Sequence, residues 1–269
     1  MELSTLIATR EHRVASEDVL ARLSIPELWG FYGRLADAVD RNRGALSSSL
    51  AALLMRHWLA NKDPKSTFAF DAPEHLRTHS QVRAVLAFHR RVFLSEERAR
   101  FSGGAQRWAG VLPRLMGVRG FTTWAGTPPL TLDYQSLVEM PLRYQLTGDD
   151  ADRDLLYALH GFQLKSTIVV SAVPTANGWR VSFQSFEAEV IDRYDFDYSE
   201  HLTVPNPDFG STAPGAVAPT AKSIVVYHRN AKRLEDAGRA APFDVRSTRW
   251  SVGHAALRAT TEVRSRALD

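Results

Sequence analysis

The sequence predicts an α+β fold, with a helical N-terminal half over residues 1–103 and a β-rich C-terminal half over residues 104–269. The sheet of the second half is expected to be antiparallel, partly open and half-barrel-like. Three observations predict this. Apolar side chains recur at helical spacing between residues 24 and 100, and that periodicity fades after Phe101-Ser-Gly-Gly104. Beyond residue 160, β-branched residues and apolar–polar alternation take over. At 269 residues the chain can bury a sizeable core, in one large domain or two smaller ones.

The first 22 residues carry mixed charge with Val14, Val19 and Leu20, and read as a frayed arm or a short helix. Ser24-Ile-Pro-Glu is a better helix start, because serine caps a helix and proline fits its first turn. Leu28, Phe31, Tyr32, Leu35 and Val39 then form one apolar face. After Arg41-Asn-Arg-Gly44 the pattern returns in Leu46, Leu50, Leu53, Leu54, His57 and Trp58, until Asn61-Lys-Asp-Pro64 ends it. A third helical pattern runs from about Glu74 to Arg100, with Val82, Val85, Leu86, His89, Val92 and Phe93 on one side. Its arginines lie largely on other faces. Glu96 and Glu97 interrupt the basic run and no aromatic residues interleave, so it reads as a solvated face and not as a nucleic-acid surface. His57 and His89, on apolar stripes, read as core histidines.

Gly and Pro then recur from Gly103 to Pro129, which places the domain boundary near residue 103. The Gly148-Asp-Asp-Ala-Asp-Arg-Asp154 run is a turn or the start of a short helix. Phe162 to Val173 is β-branched and strand-like, Pro174-Thr-Ala-Asn-Gly178 has turn chemistry, and Trp179 onward alternates. This strand is expected to end at about Ile191. Val204 to Pro219 reads as a surface loop, Ser223 to Tyr227 as a strand, and Asn230 to Gly238 as a short helix with an asparagine cap and a glycine stop. Ala255 to Arg264 is a last helix or a tail.

Composition excludes several classes of function. With 44% hydrophobic and 23% charged residues the chain is not a disordered one. A net charge of +3 and a pI near 9.3 permit attraction to phosphate or an anionic membrane without requiring it. Cysteine is absent, which rules out a disulfide framework and thiolate zinc sites. No tandem repeat, glycine-rich phosphate loop or nucleophile elbow is present, which removes the common nucleotide-binding and serine-hydrolase readings. The start of the chain lacks a basic, then apolar, secretory pattern, so synthesis in the cytoplasm without a signal peptide is expected.

Chemistry concentrates in Ile191-Asp-Arg-Tyr-Asp-Phe-Asp-Tyr-Ser-Glu-His201. Asp192, Asp195 and Asp197 supply carboxylates, and Tyr194 and His201 complete a set suited to acid/base or metal-assisted work. Strand alternation would send Asp192 and Tyr194 to one face and Asp195 to the other, unless the chain leaves the sheet there. His160 and His228 are distant candidates that read first as surface or core histidines.

The spacing Asp192-x-Tyr194-Asp195, followed by His201 after five further residues, resembles the D-x-Y-D-x-x-x-x-x-H-R signature of the colicin M family, and the hairpin from Gly178-Trp179 through Phe183 adds to the likeness. The family's final arginine is Leu202 here, and Arg193 or Arg229 are the alternative cations. The resemblance implies a magnesium-dependent phosphodiesterase that cleaves the lipid-linked peptidoglycan precursor, lipid II. It implies Asp192, Tyr194, Asp195 and His201 as catalytic residues, with Asp192 and Asp195 holding Mg2+. The implied protein is an antibacterial toxin that is exported, touches the inner membrane peripherally and acts in the target cell's periplasm. A cognate immunity protein and a secretion apparatus would be its partners, with no nucleic acid. The alternative reading is a non-enzymatic accessory or binding protein of a secretion or phage-tail-like apparatus.

Overall fold

In the computed structural model the described residues are 14–15, 18–94, 130–175, 178–196, 201–253 and 260–264. The fold is α+β. The chain divides into two compact units, each drawn from three stretches: Met1–His79, Glu139–Phe162 and Ile191–Arg246 form the first, and Ser80–Val138, Gln163–Val190 and Ser247–Asp269 the second. The boundary expected near residue 103 lies outside the described residues.

The first unit opens with a two-residue strand β1 (Val14–Ala15) and a 3-10 turn (Val19–Arg22). Helix α1 (Ile25–Arg41) starts on a capping box, in which the Ser24 N–H donates to Glu27 at 2.8 Å and Pro26 occupies the first turn. It buries Leu28, Phe31, Tyr32, Leu35 and Val39, the predicted face, each full burial of a large apolar side chain being worth roughly 1.5–3 kcal/mol. Helix α2 (Leu50–Ala60) is capped by Ser49, whose hydroxyl accepts from the Ala52 N–H at 3.0 Å. Strand β2 (Thr67–Phe70) and helix α3 (Glu74–Thr78) follow.

The long helix predicted from Glu74 is broken. His79 leaves helical geometry (φ −56°, ψ 138°), and a separate helix α4 (Ser80–Leu94) begins in the second unit. Arg98 and Arg100 lie outside the described residues. In the second unit, His89 on α4 is fully buried against Tyr134, and its Nδ1 lies 2.6 Å from the Ser166 hydroxyl. This unit carries strands β3 (Leu130–Glu139), β4 (Gly161–Thr175) and β5 (Gly178–Tyr194) for the parts of each that fall within it. Strands β9 (Trp250–Ser251) and β10 (Thr260–Arg264) pair antiparallel with β5. Of the stretch expected as a last helix or a tail, Thr260–Arg264 is strand, where Thr260, Thr261 and Val263 favour a pleated conformation.

Back in the first unit, helices α5 (Tyr144–Thr147) and α6 (Asp150–Leu159) precede β4. Strand β6 (His201–Pro205) pairs antiparallel with β7 (Ser223–Tyr227), and β1 adds to β7 in parallel, so the three-stranded sheet is mixed where an antiparallel one was expected. Helix α7 (His228–Asp236) follows β7 without a break, and β8 (Phe243–Ser247) pairs with the end of β5. Asn230 is not the cap of α7; it lies inside the helix, where its side-chain amide donates to Asp18 at 2.7 Å. The loop after β6 is ordered by Asn206, whose side-chain amide donates to the carbonyls of Val217, Ala218 and Ala221. Among the described residues no helix is long and apolar enough to cross a membrane.

Candidate active site

The end of β5 does not stop at Ile191. Ile191–Tyr194 pair with Phe243–Arg246 of β8, with Asp192 opposite Val245 and Tyr194 opposite Phe243. The sheet is continued by the aromatic packing on this strand: the rings of Tyr194 and Phe243 stack at 5.2 Å, and Phe196 packs edgewise on Tyr194 at 5.5 Å. Trp58 lies 4.9 Å from Phe196 and 5.3 Å from Tyr32, joining this cluster to the helical core. Alternation puts Asp192 and Tyr194 on one face. Regular strand ends after Tyr194, so Asp195 escapes the alternation that would have turned it away.

A cleft of about 210 Å³ results, lined by Asp192, Tyr194 and Asp195 together with His160, His228 and Tyr157. Leu156, Leu159, Phe196 and Leu202 supply its apolar wall. Burial raises the Asp192 carboxyl from 3.8 to about 7; the Arg193 backbone N–H opposes the shift and the charge of Asp195 adds to it. Tyr194 is buried, and its phenol is pushed far above its ordinary value by burial first and by Glu235 second. It stays neutral at physiological pH. Burial likewise raises Tyr157 to about 12, and its hydroxyl donates to the Thr203 carbonyl at 2.9 Å. Arg193 also lines the cleft, but its guanidinium is engaged by Asp244 at 2.7 Å and the Pro64 carbonyl at 3.1 Å, with Asp195 3.8 Å away. Arg229, the other alternative cation, pairs with Asp18 and lies over the Tyr227 ring at 4.3 Å.

Three of the four residues singled out in the sequence motif thus share one cleft, and His201 is not among those lining it. The reason is the pleat of β6: Leu202 lines the cleft, so its neighbour His201 projects to the other face, where it is exposed beside the Tyr227 ring at 5.4 Å. The imidazoles that do line the cleft come from elsewhere. His160 ends α6, and His228 begins α7 immediately after β7, its ring edge 5.2 Å from Phe196. Both occupy junctions between a helix and a strand, and those junctions were the sequence signal available for them. Asp197 lies outside the described residues.

Magnesium accepts one or two carboxylates when water and substrate oxygens complete its shell, and Asp192 and Asp195 are the two carboxylate residues lining this cleft. Among the described residues no group of three or more His, Asp or Glu side chains is placed to hold a metal ion. Compared with known proteins, the chain matches no family model, no curated protein and no solved structure.

Proposed function

We propose that this cleft hydrolyses a phosphate ester, and that the protein is an antibacterial toxin of colicin M type acting on the lipid-linked peptidoglycan precursor. One observation carries the reading: Asp192, Tyr194 and Asp195, the motif's two acids and its phenol, line a single cleft despite the strand alternation that would separate them. Asp192 and Asp195 would hold Mg2+, which when bound supplies charge neutralisation at the phosphoryl oxygens. Tyr194, kept neutral by burial, is a hydrogen-bonding group for a phosphoryl oxygen or for a carboxylate. The apolar wall of Leu156, Leu159, Phe196 and Leu202 accepts hydrocarbon next to the ester. A volume of about 210 Å³ takes the phosphoryl group and its immediate neighbours, leaving the rest of a large substrate outside.

The test is incubation of folded protein with the lipid-linked precursor and magnesium. Release of the carrier lipid, abolished in Asp192→Asn and Asp195→Ala, is the expected result. Intact precursor after long incubation with a sample shown to be folded removes the reading. In cells, export of the chain to the periplasm should cause lysis that cytoplasmic expression does not, and equal lysis by Asp195→Ala would point instead to a non-enzymatic accessory protein.

A further inference from the structure

Among the described residues only two that are not glycine have positive φ, His160 and Ala218. His160, at φ 45° and ψ −68°, is close to the rare γ-turn conformation that strains any residue with a Cβ. Glycine takes that conformation freely, and this chain has one at the next position, Gly161. The surroundings hold the strained residue in place: its N–H donates to the Leu156 carbonyl at 3.1 Å and its carbonyl accepts from the Met140 N–H at 2.7 Å. His160 lines the same cleft as Asp192, Tyr194 and Asp195, and that placement at a strained position is the ground for asking what its imidazole does there.

The location narrows the answer. His160 follows the last turn of α6, where the helix presents its unpaired carbonyls, and the cleft holds two carboxylates. A histidine at such a place, beside two acids, is a residue suited to exchanging a proton with water in the cleft. His201 lies on the opposite face of β6 and does not line the cleft.

We propose that His160 is the general base of the cleft, taking a proton from the water that attacks a phosphodiester. This deepens the reading above and rests on it for the substrate class. As the water oxygen bonds to phosphorus, the His160 imidazole takes its proton and the bond from phosphorus to the leaving alcohol's oxygen breaks. The departing oxygen then takes that proton from the imidazolium. One water has been divided between the two products and the ring is neutral again.

His160→Gly tests it, because the variant removes the imidazole, leaves its space and relieves the backbone. With magnesium present, two substrates are used: the lipid-linked precursor and bis(4-nitrophenyl) phosphate, a plain phosphodiester. The variant should melt no lower than the wild type, lose about 100-fold or more in turnover, and recover part of it in millimolar imidazole. His160→Asn, which tolerates positive φ and carries no base, should show the same loss. Wild-type turnover in His160→Gly overturns the inference and leaves the reading of the cleft standing. A loss without imidazole rescue, together with a lower melting temperature, also overturns it, since His160 would then be structural. Cleavage of the plain diester but not of the lipid-linked precursor, with the same dependence on His160, sustains the inference and removes the proposed substrate. Inertness of the wild type toward both compounds removes both.

Discussion

Two carboxylates in the first unit, Asp154 buried and Asp192 half-buried, have opposite surroundings. Asp154, 4% exposed, sits at the start of α2 and accepts from the Ser49 hydroxyl at 2.6 Å and from the N–H groups of Leu50 and Ala51 at 2.9 and 3.2 Å, while His75 Nε2 lies 2.9 Å away. It supplies partners for helix N–H groups that have none within the helix. Asp192 has the Arg193 N–H and, beside it, another acid, and burial lifts its carboxyl to about 7. Depth alone does not decide what a buried acid does. Donors matched to its oxygens make it a structural joint, and a shortage of them leaves a group whose proton is loosely committed near neutral pH.

The comparison breaks most easily at Asp154. Asp154→Ala strands the His75 ring and the first N–H groups of α2 without an acceptor, and removing one side of such a buried set costs roughly 3–5 kcal/mol. Chemical denaturation should show that loss across the neutral pH range. A variant within 1 kcal/mol of wild type would mean that Asp154 is no joint, and the contrast with Asp192 would fail.

An effect opposite in sign is expected for Asp192→Asn. The folded-state value of about 7 lies above the 3.8 of an unperturbed carboxyl, so between those values the folded protein holds more protons than the unfolded chain. Stability therefore falls as pH rises through this window, and the penalty is complete above pH 7. Asparagine removes the titration. In chelator-containing buffer the variant should gain on the wild type by up to about 1.4 kcal/mol per pH unit across the window, with a constant difference below pH 4. Parallel stability profiles from pH 4 to 8 would show that Asp192 is as well served by donors as Asp154.

How far these two acids were legible in the sequence differs for a physical reason. Asp192, Tyr194 and Asp195 stand together in the chain, so their clustering is visible before folding. The sequence reading ends their strand at about Ile191 because a loop exit lets the aspartates converge, while cross-strand pairing with Val245 and Phe243, distant in sequence, carries it on to Tyr194. Strand Ser223–Tyr227 and the buried face of α1 were legible because alternation and helical spacing are local signals. His160 and His228 were legible only as distant candidates, because helix–strand junctions far apart in the chain bring them to one cleft. Asp154 belonged to an acidic run that read as a turn or helix start. Its partners Ser49 and His75 are 105 and 79 residues away, and nothing in the run distinguishes it from Asp152. His201 shows the converse failure, since spacing placed it in the motif and the pleat of β6 turned it outward.

The smallest effect divides the Asp154 joint into its parts. Ser49 does two things at once: its hydroxyl accepts from the Ala52 N–H as the cap of α2, and donates to Asp154. Ser49→Ala should cost about 1 kcal/mol, the usual value of a lost cap. If the hydroxyl and the carboxylate act as a unit, the same substitution should cost less once Asp154 is already alanine, because the hydroxyl has lost the acceptor that fixed its direction. A double-mutant cycle by urea denaturation should then give a coupling of roughly 0.5–1 kcal/mol, the low end of the range for residues in one hydrogen-bond network. Strict additivity would mean that Asp154 holds α2 through the backbone N–H groups alone. The joint would then consist of a carboxylate at a helix start, and its difference from Asp192 would reduce to the two N–H groups of Leu50 and Ala51 together with the ring of His75.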